Sequence, residues 1–88
     1  MRDYLEYRQQ NLWDRIQADY DLYIAIFGKT KADEWLERQR PVHLAMEKLW
    51  KVKNFKNYGD YEDWERDHKP ERNEFLKKEG VWELWLNG

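Results

Sequence analysis

The sequence predicts an all-α protein, built as a small bundle of three main helices with a short apolar tail at the C-terminus. Apolar residues recur every three or four positions, which is the spacing of one helix face. No run of alternating apolar and polar residues leads into a hairpin turn, so strands are not expected. With 88 residues and no linker rich in Gly, Ser or Pro, residues 1–88 are expected to form a single helical domain.

The first helix is predicted over residues 3–27. Gly28 is expected to end it, because glycine enters the left-handed conformation that follows many helices without strain. Regular spacing places these side chains on its apolar face: Leu5, Leu12, Ile16, Tyr20, Tyr23 and Phe27.

The second helix is predicted over residues 31–55, with Thr30 as its N-cap and Asp33 reaching back to complete a capping box. Pro41 lies inside this stretch, where it removes a backbone hydrogen bond and collides with the preceding turn. The apolar spacing continues across the proline. We therefore expect a kink or short break near residue 41 rather than a junction of two separate helices.

The third helix is predicted over residues 60–79, with Asp60 as its N-cap. Pro70 suits the first turn of a helix, so a break is expected near residue 69. The tail, residues 80–88, is expected to form either a helical turn or a short strand. Its apolar part is too short for residue spacing to distinguish the two.

The composition indicates a folded chain without nucleophilic or disulfide chemistry. Hydrophobic residues make up 41% of the sequence and charged residues 39%, and six Trp, six Tyr and three Phe argue against a disordered chain. Cys and Ser are missing, and Thr occurs once. The lack of Cys favours a cytoplasmic location. No apolar run is long enough to span a bilayer, so no membrane partner is expected.

A non-enzymatic protein is predicted. Glu65 and His68 share a helix face, and Glu47 follows His43 by one turn, but with 18 acidic residues such pairs are expected by chance. A helical chain of this size rarely holds a substrate pocket. A metal, a cofactor and a small-molecule substrate are therefore not predicted.

The abundance of tryptophan predicts a protein-interaction module. Six Trp cannot all lie at the centre of an 88-residue core, and exposed Trp and Tyr dominate the energetics of interfaces. The partner is expected to be another protein or a second copy of this chain, unless the tail folds back onto the bundle. The predicted contact residues are Trp82, Trp85 and Leu86 in the tail, followed by Trp64 and Tyr61.

Charge is distributed unevenly along the sequence, and this distribution suggests two functions other than protein–protein interaction. Residues 28–58 carry a net charge of +4, whereas residues 1–27 carry −2 and residues 59–88 carry −4, which sum to the total of −2. Helices of opposite charge can complement each other internally. Nucleic-acid binding by segment 48–56 is the first alternative, despite a pI near 5.7, and would use Lys48, Lys51, Lys53 and Lys56. The second is a phosphate-mimicking inhibitor that uses the acidic residues of 60–67.

Overall fold

A computed structural model describes residues 2–88, with side chains from Glu6 onward, and this part of the chain is all-helical, as predicted. It contains seven short helices rather than three main ones. They are α1 (Arg2–Gln9), α2 (Leu12–Phe27), α3 (Lys29–Arg38), α4 (Arg40–Lys53), α5 (Tyr58–Asp67), α6 (Lys69–Lys78) and α7 (Trp82–Asn87).

The prediction of one continuous helix over residues 3–27 was wrong, because the chain breaks at Asn11. The backbone of Asn11 is extended, and its side-chain oxygen accepts a hydrogen bond from the Asp14 N–H at 2.8 Å, which starts α2 afresh. The break frees the Gln10 carbonyl to accept the Tyr58 N–H at 2.7 Å. Helix α1 therefore packs against α5. The side chain of Leu5 lies outside the described residues.

Gly28 ends α2 as expected, but the predicted start of the next helix was wrong. Gly28 has a φ of 92°, and its N–H donates to the Ile24 carbonyl at 2.8 Å. Helix α3 begins at the next residue, so Thr30 lies inside the first turn and is not a cap. The Asp33 carboxylate accepts instead from the Tyr20 hydroxyl and from the ammonium group of Lys29.

The chain breaks near both prolines, at Gln39 and at His68, but near Pro41 two separate helices, α3 and α4, meet, where a kink or short break within one helix was expected. Pro41 and Pro70 are each the second residue of a helix. Backbone N–H groups in the first turn have no acceptor within the helix, so proline costs no hydrogen bond at this position.

The N-cap predicted at Asp60 was wrong, because the cap of α5 is Asn57. The Asn57 side chain accepts the Asp60 N–H at 2.9 Å. The Asp60 carboxylate in turn accepts the Lys56 N–H at 3.0 Å, so it closes the loop that precedes the helix.

The helices form a slab of 35 × 34 × 18 Å. Since a helix with its side chains is about 10–12 Å across, the slab is about two helix layers thick. One core runs between the layers and draws on α2, α4, α5, α6 and the residue before α7. Its buried members are Leu12, Ile16, Val42, Ala45, Met46, Leu49, Trp50, Tyr61, Leu76 and Val81.

Trp50 is the centre of an aromatic cluster at one end of this core. Its ring stacks on Tyr61, with centroids 5.9 Å apart and planes at 21°. Phe55 presents its ring at 89° to Trp50, and Tyr58 packs at 6.3 Å. These contacts fasten α4 to α5 and to the loop between them.

The tail forms a helical turn, α7, and folds back onto the bundle. Gln39, at the break between α3 and α4, is 4% exposed, and its Nε2 donates to the Leu84 carbonyl at 3.1 Å. Carbonyls in the last turn of a helix have no partner within the helix, so this bond satisfies a group that would otherwise be unpaired. Gly88 packs directly on the Gln39 side chain.

We expect Gln39→Ala to lower the free energy of unfolding by about 1–3 kcal/mol, because it leaves the Leu84 carbonyl without its donor in a poorly solvated position. Urea denaturation followed by circular dichroism measures the change. Gln17→Ala is the matched control, because Gln17 is exposed on α2, and it should change stability by less than about 0.5 kcal/mol. Equal effects of the two substitutions would contradict a structural role for Gln39.

Candidate interaction surface

The predicted anchor in the tail is partly covered by α6. Trp82 and Trp85 are half-buried and pack against the core. Cationic groups lie over both rings, with Lys77 Nζ 5.2 Å from the Trp82 centroid and Arg72 Cζ 4.9 Å from that of Trp85. Leu86 is 62% exposed. Of the three tail residues, Leu86 therefore offers the most free surface.

Trp64 and Tyr61, the second pair of predicted contact residues, both lie on α5. Tyr61 is 4% exposed, and burial raises the pKa of its hydroxyl to about 12, against the lowering effect of the nearby Arg72. Trp64 is half-buried, stacks on the His68 imidazole at 5.2 Å and carries the Lys53 ammonium over its ring. Of this pair, Trp64 is the residue that solvent reaches.

The basic segment 48–56 is largely ion-paired within the molecule. Three of its lysines lie within ion-pair distance of a carboxylate: Lys48 with Glu79, Lys51 with Glu47, and Lys53 with Glu71. The contact with Lys53 holds the pKa of Glu71 below its usual range. Lys56 has no ion pair with any described side chain. The positive middle of the sequence thus meets the negative C-terminal third inside one molecule.

The acidic segment 60–67 is also engaged internally. Arg8 of α1 lies 3.3 Å from Glu62 and 2.9 Å from Asp63, and Arg72 lies 2.7 Å from Glu65. These contacts tie α1 and α6 to α5. Much of the charge that a phosphate mimic would display is therefore compensated.

An apolar face on α2 was not recognised from the sequence. Ala18, Leu22, Ala25 and Ile26 are spaced by four, three and one residues, which places them on one side of the helix. We call these four residues the α2 outer face. Leu22 is 57% exposed and Ile26 61% exposed, and Ala25 is also exposed.

The sequence pattern did not predict the α2 outer face, because α2 carries a second apolar stripe on its opposite side. Leu12 and Ile16 on that inner stripe reach the core, whereas Tyr23 stacks on Trp35 of α3, and Phe27 packs on Tyr23 and is 54% exposed. The four-residue spacing of Leu22 and Ile26 was visible in the sequence. The sequence analysis expects one apolar face on this helix, directed toward the core, and a second face was therefore not predicted.

A row of rings fills the corner between α2, α3 and α4. Tyr23 stacks on Trp35 at 5.3 Å, and the His43 ring lies 5.5 Å from Trp35 and 6.4 Å from Trp13. Burial lowers the pKa of the His43 imidazole, and the negative charge of Asp19 opposes this effect. A cavity of about 220 Å³ on this side of the molecule is lined in part by Trp13, His43 and Leu44.

The described side chains form no group of three His, Asp or Glu that could hold a metal ion. His68 Nδ1 lies 2.8 Å from the Trp64 carbonyl, and Glu65 pairs with Arg72. In the same part of the chain, no helix has the length and apolarity needed to cross a membrane.

Comparison of the sequence with the profiles of known protein families found no match, and searches against curated proteins and solved structures found no similar protein.

We expect the folded protein to lose stability as the pH falls below about 6.5, the ordinary pKa of histidine. Because the pKa of His43 is lower in the folded state, the unfolded chain takes up a proton first, so the contribution of His43 is complete above that pH. Urea denaturation at about pH 7.5 and about pH 5.5 measures the difference.

His43→Phe should reduce this pH dependence, because phenylalanine fills the space between the Trp rings without titrating. Val52→Ser is the control, because Val52 is exposed on the same helix and removes no titrating group, and it should leave the dependence as it is. A pH dependence unchanged by His43→Phe would contradict the assignment.

Proposed function

We propose that this protein is a non-enzymatic interaction module that associates with a second copy of itself through the α2 outer face. The observation that supports the proposal is the exposure of Leu22 and Ile26, at 57% and 61%, on one side of a 16-residue helix. A contiguous apolar patch of this kind is typical of protein–protein interfaces.

The position of the face supports an interface rather than a structural role. Helix α2 contacts α3 and α4 through its other side, where Leu12 and Ile16 are buried. Two large aliphatic side chains on the outside are therefore not needed for the packing of the monomer. Burial of each of these side chains in an interface would contribute about 1.5–3 kcal/mol to the free energy of association.

The alternation of small and large side chains on the α2 outer face favours a second copy of the chain as the partner. Two small residues, Ala18 and Ala25, alternate with the large Leu22 and Ile26, so large side chains of one helix can enter the gaps of an identical helix. The four residues carry no charge, so the surface requires no complementary charge on its partner. An 88-residue chain with one small core also gains stability from association.

The tail residues support the proposal less directly. Trp82 and Trp85 contribute to the packing of α7, whereas Leu86 remains exposed. If the tail takes part in association, Leu86 is the residue that is expected to matter most.

The first test is the solution mass, measured by light scattering on a sizing column over a range of concentrations at low and high salt. We expect a monomer–dimer equilibrium that persists at high salt, because apolar contacts are not weakened by screening. Two turns of helix bury less than the roughly 1,600 Å² of a standard interface, so the dimer should be weak.

The double variant Leu22→Ser/Ile26→Ser should raise the dissociation constant by about a hundredfold or more, because four apolar side chains leave the dimer interface. Helix content by circular dichroism should not change, since both residues are exposed in the monomer. Val52→Ser is the matched control, because Val52 is exposed on α4 at 71%, and it should leave the mass unchanged. A monomer at every concentration would contradict self-association. A dimer that Leu86→Ser disrupts while the double variant does not would place the interface in the tail.

A further inference from the structure

We propose that residues 20–35 form an arm that opens and closes as a unit while the core of the molecule stays folded. The arm consists of the second half of α2, the turn at Gly28 and most of α3. It supplies none of the buried side chains of the core, which belong to Leu12 and Ile16 before the arm and to Val42 and later residues after it. The stability of the arm must therefore come from its own contacts.

Burial within the arm is slight. Of the residues in the arm, all of which the structure describes, Ala32 alone is buried. Leu22, Ile26 and Phe27 are each more than half exposed. Because short helices are marginal in water unless an apolar face is packed, this part of α2 and α3 gains less stability than the helices around the core.

An aromatic stack and a hydrogen bond join the two halves of the arm. The Tyr23 ring stacks on the Trp35 ring, with centroids 5.3 Å apart and planes at 18°. The Tyr20 hydroxyl donates a hydrogen bond to the Asp33 carboxylate. Each contact joins a residue of α2 to a residue of α3, so both contacts are lost when either half of the arm unfolds.

The arm has little contact with the rest of the molecule. The Trp35 ring meets the His43 ring of α4 edge to face, with centroids 5.5 Å apart. The hydrogen bonds and ion pairs made by side chains of the arm stay within α2 and α3, as those of Asp21 and Asp33 show. Immediately after the arm, Leu36 packs against the core. The chain is thus anchored at both ends of the arm but weakly along it.

These observations place the arm among the least stable parts of the molecule. Proteins open in cooperative units, and the units with little buried apolar surface open at a lower free energy than the whole protein unfolds. Opening of the arm breaks the contacts of Tyr20 and Tyr23 but leaves Leu12 and Ile16 in the core. The core can therefore stay folded while the arm is open.

Opening of the arm removes most of the α2 outer face. Leu22, Ala25 and Ile26 belong to the arm, so they are held on one side of a helix only while the arm is closed. This consequence rests on the proposed self-association: a second copy binds the closed arm and not the open arm, and it therefore stabilises the closed state. Association of two copies thus orders the arm.

The test is hydrogen exchange of the full-length, ¹⁵N-labelled protein under native conditions, followed amide by amide by NMR. At a concentration where light scattering shows a monomer, the hydrogen-bonded amides of residues 20–35 should exchange about a hundredfold faster than those of Leu49 and Trp50, after correction for intrinsic rates. Equal protection of the arm and of these core residues would overturn the proposal, because the molecule would then open as a single unit.

Two variants test whether the arm is a unit of its own. Tyr23→Ala should speed exchange throughout the arm by a common factor of about tenfold, because it removes the stack on Trp35. Val81→Ala, in the core and outside the arm, should speed exchange at Leu49 and Trp50 and leave the arm unchanged. Acceleration confined to the amides next to Tyr23, or equal acceleration of arm and core by Val81→Ala, would contradict opening as a unit.

A concentration series separates this proposal from self-association. At a total concentration about ten times the dimer dissociation constant, arm amides should exchange about fivefold more slowly than in the monomer, because only the closed monomer associates. A chain that is monomeric at every concentration, with an arm that still exchanges faster than the core, would contradict self-association and support the arm. A dimer in which the arm and the core are equally protected at every concentration would support self-association and contradict the arm.

Discussion

The stacking of Trp50 on Tyr61 is the contact on which the rest of this structure depends. Helices of six to sixteen residues are marginal or unstable alone in water, so they persist only where packing stabilises them. Trp50 joins the end of α4 to α5, and α5 in turn holds α1 through the ion pairs of Arg8. Loss of the aromatic cluster would therefore weaken the attachment of both α5 and α1, leaving α5 held to α6 by the ion pair of Arg72 with Glu65. The cost of this arrangement is an indole N–H buried without a partner among the described residues, a penalty of about 1–3 kcal/mol.

The thickness of the slab explains why so many aromatic rings are half-buried. At 18 Å the molecule holds about two layers of helices, so a large ring that contacts the core also reaches solvent. Trp82 and Trp85 show the result, since each packs inward with one face covered by a cation rather than by more chain. Long Lys and Arg side chains cover apolar surface while their charged ends stay in water. Basic residues on α6 thus cover ring surface that a third layer of helices would otherwise bury. On the α2 outer face, Leu22 and Ile26 remain 57% and 61% exposed, and this exposure supports the proposed interface.

The helical class and both proline breaks could be predicted from the sequence, because residue spacing and the geometry of proline are local properties. The split between α1 and α2 could not be, since Leu12 continues the apolar spacing of Leu5, and the contacts that stabilise a change of direction, from Tyr58 to Gln10 and from Arg8 to α5, are made with residues about fifty positions away in the sequence. Caps were predicted at Thr30 and Asp60 by residue preference, but Gly28 and Asn57 took these places. Of the candidate contact residues, Trp64 reaches solvent and Tyr61 does not. Which aromatic residues lie inside depends on helix order in space, which the spacing within each helix does not determine.

Helix α2 presents two different sides. Nine residues separate Trp13 from Leu22, which is two and a half helical turns, so their side chains project from opposite sides of the helix. Leu12 and Ile16 anchor the inner side of α2 in the core, so a second copy seated on the α2 outer face would leave that packing undisturbed.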